Sequence, residues 1–119
     1  MRIVLDTNFL VLAVKEKIGI FLQLRGKRIY VIGPVMKELD KIAKGRSKDA
    51  VAARVALMIV KTKNMRKLRT GFRSADRALL EKARKGYVIA TQDSVLRRRI
   101  KKAGGKVLYI RQKKYVVFE

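Results

Sequence analysis

Two periodicities divide the chain. Ile3-Val-Leu5, Arg28-Ile-Tyr-Val-Ile32, Tyr87-Val-Ile-Ala-Thr91 and Val107-Leu-Tyr-Ile110 are short apolar runs of strand length, and Tyr115-Val-Val-Phe118 offers a further edge strand. Between them the apolar positions recur at helical spacing. Phe9, Leu10, Leu12, Ala13, Ile20, Phe21 and Leu24 predict a helix after the first strand, capped by Thr7 or Asn8, divided at Gly19 and ended by Gly26. Val35, Leu39 and Ile42 form a core-facing stripe from about Val35 to Lys44, with Pro34 at the first helical position and Gly45 closing the helix. A small basic linker around Arg46-Ser47-Lys48 leads to an Ala-rich helix from Asp49 to Lys63. Ser74 is placed to cap a helix from Ala75 to Lys85, which Gly86 ends, and a strongly basic helix runs from Ser94 to Ala103. The stretch from Arg66 to Arg73, which contains Gly71, reads as a basic loop.

Strands alternating with helices imply a parallel sheet covered on both faces. The expectation is one α/β domain over residues 1–119, a three-layer α/β/α arrangement around a mainly parallel sheet of four to five strands. No internal repeat, linker or low-complexity segment divides it.

Composition narrows the chemistry. The 119 residues contain no Cys and no His, which excludes disulfides, thiolate zinc sites, Cys nucleophiles and His acid–base catalysis. Any metal site must use oxygen ligands, which favours magnesium or manganese. No run approaches the roughly 20 apolar residues of a membrane span. An acid at position 6 is out of place in a signal peptide, so a cytoplasmic location is expected.

The formal charge is +22, from 31 Lys and Arg against nine Asp and Glu. Self-repulsion of that size points to a polyanionic partner, nucleic acid before an anionic membrane surface. A thermophile's charge habit would raise Glu together with Lys, and Glu is rare here.

The scarcity of acids makes their positions readable. Asp6 follows the first strand, Glu38 lies at the start of the helix after the second, Asp76 opens the helix before the third, and Asp93 follows the third. Right-handed crossovers bring those positions towards the carboxyl edge of the sheet, where open α/β folds bind ligands. Carboxylates crowded together resist full ionisation unless a cation or proton intervenes, and a divalent cation at such a cluster suits phosphodiester hydrolysis. Asp76 and Glu38 also suit the first turn of a helix for its dipole alone. Asp6 and Asp93 invite desolvation with no evident local benefit. Asn8 and Thr91 are either supporting donors or ordinary caps and strand ends. Glu16, Asp40, Asp49 and Glu81 read as solvated surface, and Glu119 is terminal.

Leu5-Asp6-Thr7-Asn8-Phe9, Pro34-Val-Met-Lys-Glu38-Leu39, Ser74-Ala-Asp76 and Ala90-Thr91-Gln-Asp93-Ser-Val-Leu-Arg97-Arg98-Arg99-Ile100 together resemble the ordered motifs of PIN-domain ribonucleases. The Arg triplet, Gly105 and the Leu108-Tyr-Ile strand resemble most the PIN proteins of the small-subunit processome, which process precursor ribosomal RNA. The resemblance implies a compact archaeal or other prokaryotic single-domain version, a metal-dependent endoribonuclease. Asp6, Glu38, Asp76 and Asp93 would be its catalytic acids, Asp6, Asp76 and Asp93 the principal metal ligands, and Asn8 and Thr91 supporting residues. The zinc-binding Cys/His cluster of some relatives has no counterpart here. VapC-type toxins share the acidic quartet, so two alternatives stand: a toxin ribonuclease neutralised by an acidic antitoxin, and a non-catalytic RNA-binding or ribosome-assembly module.

Arg66, Lys67, Arg69 and Arg73 precede Asp76, and Arg97, Arg98, Arg99, Lys101 and Lys102 follow Asp93. Both runs are expected to flank the acids and hold RNA, with precursor ribosomal RNA or its particle as the favoured partner. Tyr30, Tyr87, Tyr109 and Tyr115 fall in strands and read as packing rather than base-stacking residues. An exposed apolar helix would serve a homodimer.

Overall fold

The computed structural model describes all 119 residues. Six strands, β1 (Arg2–Leu5), β2 (Arg28–Ile32), β3 (Arg66–Leu68), β4 (Val88–Ala90), β5 (Val107–Arg111) and β6 (Tyr115–Phe118), form one sheet in the order β3-β2-β1-β4-β5-β6. The first five are parallel, and β6 returns antiparallel on β5. Six helices connect or flank them: α1 (Thr7–Lys15), α2 (Ile20–Gln23), α3 (Gly33–Ala43), α4 (Lys48–Thr62), α5 (Ala75–Arg84) and α6 (Ser94–Lys102). α1, α3 and α4 pack together as one group, and α5 packs on α6.

The central strands are apolar because both of their faces are covered. Ile3, Val4 and Leu5 have no exposed surface, and neither do Val31, Ile32, Ile89 and Ala90. Phe9, Leu10, Leu39, Leu79, Leu96 and Ile100 close the core from the helices. The chain leaves β1 towards β2 and β3, and leaves β4 in the opposite direction towards β5. The junction of β1 and β4 is therefore the switch point of the sheet, where a crevice opens outside the carboxyl ends of the strands.

The sheet has one strand more than expected. Arg66–Leu68 pairs in register with Tyr30–Ile32, although two cations in three residues gave it the look of a loop. A short, charged strand is tolerated there because it lies at the edge. The first helix divides as anticipated, with α1 ending at Lys15 and α2 starting after Gly19. α3 begins at Gly33, two residues earlier than the apolar stripe suggested.

Gly105 has a steric duty. A Cβ there would stand 2.7 Å from Ile100 Cγ2 and 3.2 Å from Ala83 Cβ, so α5, α6 and the approach to β5 close only over a glycine. Gly105→Ala is expected to cost about 1–3 kcal/mol, as overpacked sites do, read as a lower urea midpoint at unchanged slope. Unchanged stability would show that this junction is loose.

Candidate active site

An open cleft of about 400 Å³ lies at the switch point. Asp6, Glu38, Asp49, Asp76 and Asp93 all line it, which is five of the nine acids in the chain. The expected quartet is brought to one hollow, joined by an acid assigned to solvated surface. Asp49 stands in the first turn of α4, whose N-cap Ser47 accepts from Ala50 N. Its position on the cleft depends on how α4 packs against α1 and α3, for which the sequence carries no local signal.

Asp6 is the most enclosed of the five, with 5% of its surface exposed. It caps α1: Thr7 N–H donates to its Oδ1 at 2.7 Å, and the Thr91 hydroxyl donates to its Oδ2 at 2.7 Å. Burial nevertheless pushes its pKa up to about 6, against the hydrogen bonds from Thr91 and Thr7, and the negative charges of Glu38 and Asp76 push the same way.

Asp93 caps α6, its Oδ1 accepting from Val95 N at 2.9 Å and Leu96 N at 3.1 Å. Both acids thus have a local structural benefit that the expectation denied them: each satisfies orphan N–H groups at a helix start. Asp76 lies in the first turn of α5, after Ser74, whose side chain makes no capping bond.

Three neutral residues brace the acids. Thr91 has no exposed surface, and its oxygen also accepts from Asp93 N at 3.1 Å, so one side chain ties both capping aspartates. Asn8 Oδ1 accepts from Gln92 N at 3.0 Å, joining the ends of β1 and β4. Thr7 donates its hydroxyl to Glu38 Oε1 at 2.7 Å, holding α3 to α1. A threonine beside Asp6 was legible only as a cap or polar neighbour; its bond to a residue 31 positions away was not.

The charges around the quartet are unbalanced. Glu16, Asp49, Glu81 and Glu119 each have a lysine within 4.0 Å, but Asp6, Glu38, Asp76 and Asp93 have no cation within that distance. The one cation lining the cleft, Lys15, is engaged by Asp49 at 2.7 Å. The acids do not close into a group of three or more with metal-holding spacing. Asp6, Glu38 and Asp93 each give oxygens to protein donors, which fix where those carboxylates stand. The donor set itself, all oxygen and free of competing cations, fits a hard divalent ion that retains several waters.

The basic runs divide. Lys67, Arg69 and Arg73 line a cleft of about 490 Å³ with Lys37 and Phe72, beside the start of α3 and so next to the acids. Lys82, buried in α5, donates to the Arg69 carbonyl, and Thr70 Oγ1 donates to Glu81 Oε1 at 3.0 Å, fixing this loop to α5. Arg66 does not join it: β3 carries it to the amino edge of the sheet. Arg97 is half-buried, donating to the Thr91 carbonyl at 3.1 Å with its guanidinium 4.3 Å from the Tyr109 ring centroid, which makes it a structural clamp. Lys101 pairs with Glu119 at 2.6 Å. Arg98, Arg99 and Lys102 are exposed, but α6 runs away from Asp93 and sets Lys102 roughly 13 Å along its axis. Two edges of the expected ring around the acids are therefore displaced.

A parallel α/β domain with an acid cluster at its switch point, flanked by cations, has the layout of a metal-assisted nuclease. A family model for a PIN-like domain matches residues 3–113, and the chain belongs to that family. Ribonuclease VapC4 of Methanocaldococcus jannaschii is 31% identical, over 96% of this chain and 93% of that protein. Ribonuclease VapC9 of Archaeoglobus fulgidus is 32% identical, over 98% and 87%. The solved PIN domain endonuclease Utp24 superposes with a TM-score of 0.79 at 27% identity, over 99% of this chain and 90% of that one. Likeness thus runs both to VapC ribonucleases and to Utp24, rather than to one side.

The raised pKa of Asp6 makes folding stability depend on pH. An acid lifted from 3.8 to about 6 favours the folded state below the lower value, and that contribution is lost as pH rises through the upper one. The shift corresponds to roughly 3 kcal/mol at most. Asn at position 6 keeps an oxygen for Thr7 N and removes the charge. In chelator, Asp6→Asn is expected to be about 1–3 kcal/mol more stable than wild type at pH 8, the gap closing by about pH 4. Urea titrations across that range measure it, and a variant less stable at pH 8 would contradict it.

Proposed function

We propose that this PIN-like nuclease is a divalent-metal-dependent endoribonuclease that cuts structured RNA. The carrying observation is that four acids line one cleft with no cation within 4.0 Å of them, in a chain of net charge +22. Magnesium or manganese is the ion that such oxygen ligands suit, with Asp6, Asp76 and Asp93 as its principal ligands and Glu38 completing the cage or orienting water. When bound, the ion would polarise the scissile phosphate and lower the pKa of the attacking water.

The protein's own part is positioning. Thr7 N–H and the Thr91 hydroxyl fix both oxygens of Asp6, and Thr7 Oγ1 turns Glu38 into the cleft. Asp93 spends Oδ1 on helix N–H groups and keeps Oδ2 free of them. Asn8 and Thr91 lock the strand ends that carry these acids. Lys37, Lys67, Arg69 and Arg73 hold the phosphate backbone beside them. Maturation of precursor ribosomal RNA is the role favoured by the resemblance of the Arg97-Arg98-Arg99 triplet, Gly105 and the Leu108-Tyr-Ile strand to the small-subunit processome PIN proteins, and the likeness to the endonuclease Utp24 supports the nuclease activity it requires.

The VapC relatives favour a second reading at least as strongly, a toxin ribonuclease held by an acidic antitoxin. A short acidic reading frame beside the gene, whose product copurifies with the protein and blocks cleavage, would select it. A non-catalytic RNA-binding role remains the reading if no metal-dependent cut is found. Under either enzymatic role, Val51, Val55 and Met58 on the exposed face of α4 offer an apolar surface for a second copy.

Asp6→Asn is expected to lower cleavage of precursor ribosomal RNA in manganese by at least 100-fold, and to leave RNA affinity within about threefold, because catalysis by a metal needs the ligand's charge. Mapped RNA ends and filter binding on one preparation measure both. A folded variant that still cuts at the wild-type rate would rule out Asp6 as a ligand.

A further inference from the structure

At the opposite end of the sheet, where β2 and β3 begin, a second cleft of about 610 Å³ is lined by Lys27, Arg28, Lys63 and Arg66 with Phe21 and Tyr30, and by no acid. None of the four cations has a carboxylate within 4.0 Å. Arg28 is also the register partner of Arg2 in the parallel β1–β2 pair, but the Arg2 guanidinium stacks on Tyr87, 4.1 Å from its ring centroid, and donates to the Lys85 carbonyl. Concentrating cations in a groove with apolar walls raises the local potential and draws in anions.

The aromatic groups here are already engaged. Lys63 Nζ lies 4.6 Å from the Phe21 ring centroid, and Tyr30 is buried with its ring edge-on to Tyr87, the centroids 5.6 Å apart. With Lys63 over one face of Phe21 and Tyr30 buried, the groove presents cations more than free aromatic faces, which suits phosphates better than bases.

We propose that this amino-edge cleft is an exosite for the RNA backbone, gripping a segment of substrate remote from the cut. The inference rests on the RNA-cleaving reading of the acidic cleft. Arg2 pairs with Arg28 and Val4 with Tyr30, which sets Asp6 level with Ile32, four residues further along β2, or roughly 13 Å. The two clefts open at opposite ends of the strands, on a molecule 37 Å in its longest dimension. An RNA that passes from one cleft to the other around a molecule 26–37 Å across covers about eight to eleven nucleotides at about 3.4 Å per step along a strand. The enzyme thereby prefers long substrates through contacts that carry no sequence information.

The test compares wild type, K27Q/R28Q/K63Q, the charge-retaining K27R/R28K/K63R, and a control, K41Q/K44Q/K61Q, that removes as much charge elsewhere. Binding of a 20-nucleotide and a 5-nucleotide RNA is measured in chelator across a salt series, cleavage of both in manganese, and folding by circular dichroism. K27Q/R28Q/K63Q is expected to bind the 20-mer at least 10-fold more weakly, with a salt slope smaller by about two, since each lost phosphate contact removes about 0.7. The 5-mer is bound and cut as by wild type, the charge-retaining variant recovers 20-mer binding, and the control moves neither length more than threefold.

Unchanged 20-mer binding, equal losses for both lengths, or an equal loss in the control would overturn the exosite. So would loss of binding to phosphatidylserine vesicles with 20-mer binding intact, which would assign the cleft to a membrane surface. A wild type that cuts neither RNA, while K27Q/R28Q/K63Q shows the length-dependent loss, would leave the exosite standing and remove the nuclease reading.

Discussion

Asp6 carries its charge where water scarcely reaches. Two protein hydrogen bonds hold its carboxylate, Glu38 and Asp76 repel it, and none of the 31 basic side chains comes within 4.0 Å. Burying a carboxylate without a counter-charge is among the costlier acts available to a protein. A fold with this many cations had ample means to avoid it. The surroundings of Asp6 make sense as a site left open for a positive ligand, and the order of strands around β1 and β4 provides the crevice in which that ligand would sit.

The same residues that create this tension also hold the fold together. Asp6 and Asp93 begin α1 and α6, and Thr91 binds both. Capping bonds of this kind are worth about 1 kcal/mol each, which offsets part of the cost of burial at Asp6. Because the acids sit on helix starts fixed by main-chain N–H groups, their carboxylates are pre-positioned rather than loose. Positioning of that sort is what metal-assisted hydrolysis asks of a protein scaffold.

Much of this was legible in the sequence, for identifiable reasons. The strand–acid–cap patterns at Asp6 and Asp93 are local, and so are the apolar runs that place them at strand ends. The PIN-like family and the parallel α/β architecture follow from the order of such patterns. What was not legible depends on contacts between distant segments. β3 hides its strand character because an edge strand needs few apolar residues, and its pairing with Tyr30–Ile32 carries Arg66 to the wrong end for the acidic cleft. Arg97 looked like one of three equivalent arginines until Tyr109 and the Thr91 carbonyl claimed it. Asp49 is the surface acid it looked to be, its side chain 55% exposed, but nothing near it in sequence reveals its ion pair with Lys15 of α1 or its place at the cleft.

Crystals of the wild type soaked in manganese near pH 7.5, with data collected at the manganese absorption edge, address the central claim most directly. The expected result is an anomalous peak inside the acidic cleft with Asp6 among its ligands, accompanied by inward movement of Asp76, whose carboxylate no main-chain N–H holds. A cleft that stays free of manganese at millimolar concentration, or a peak confined to the exposed carboxylates elsewhere, would contradict it.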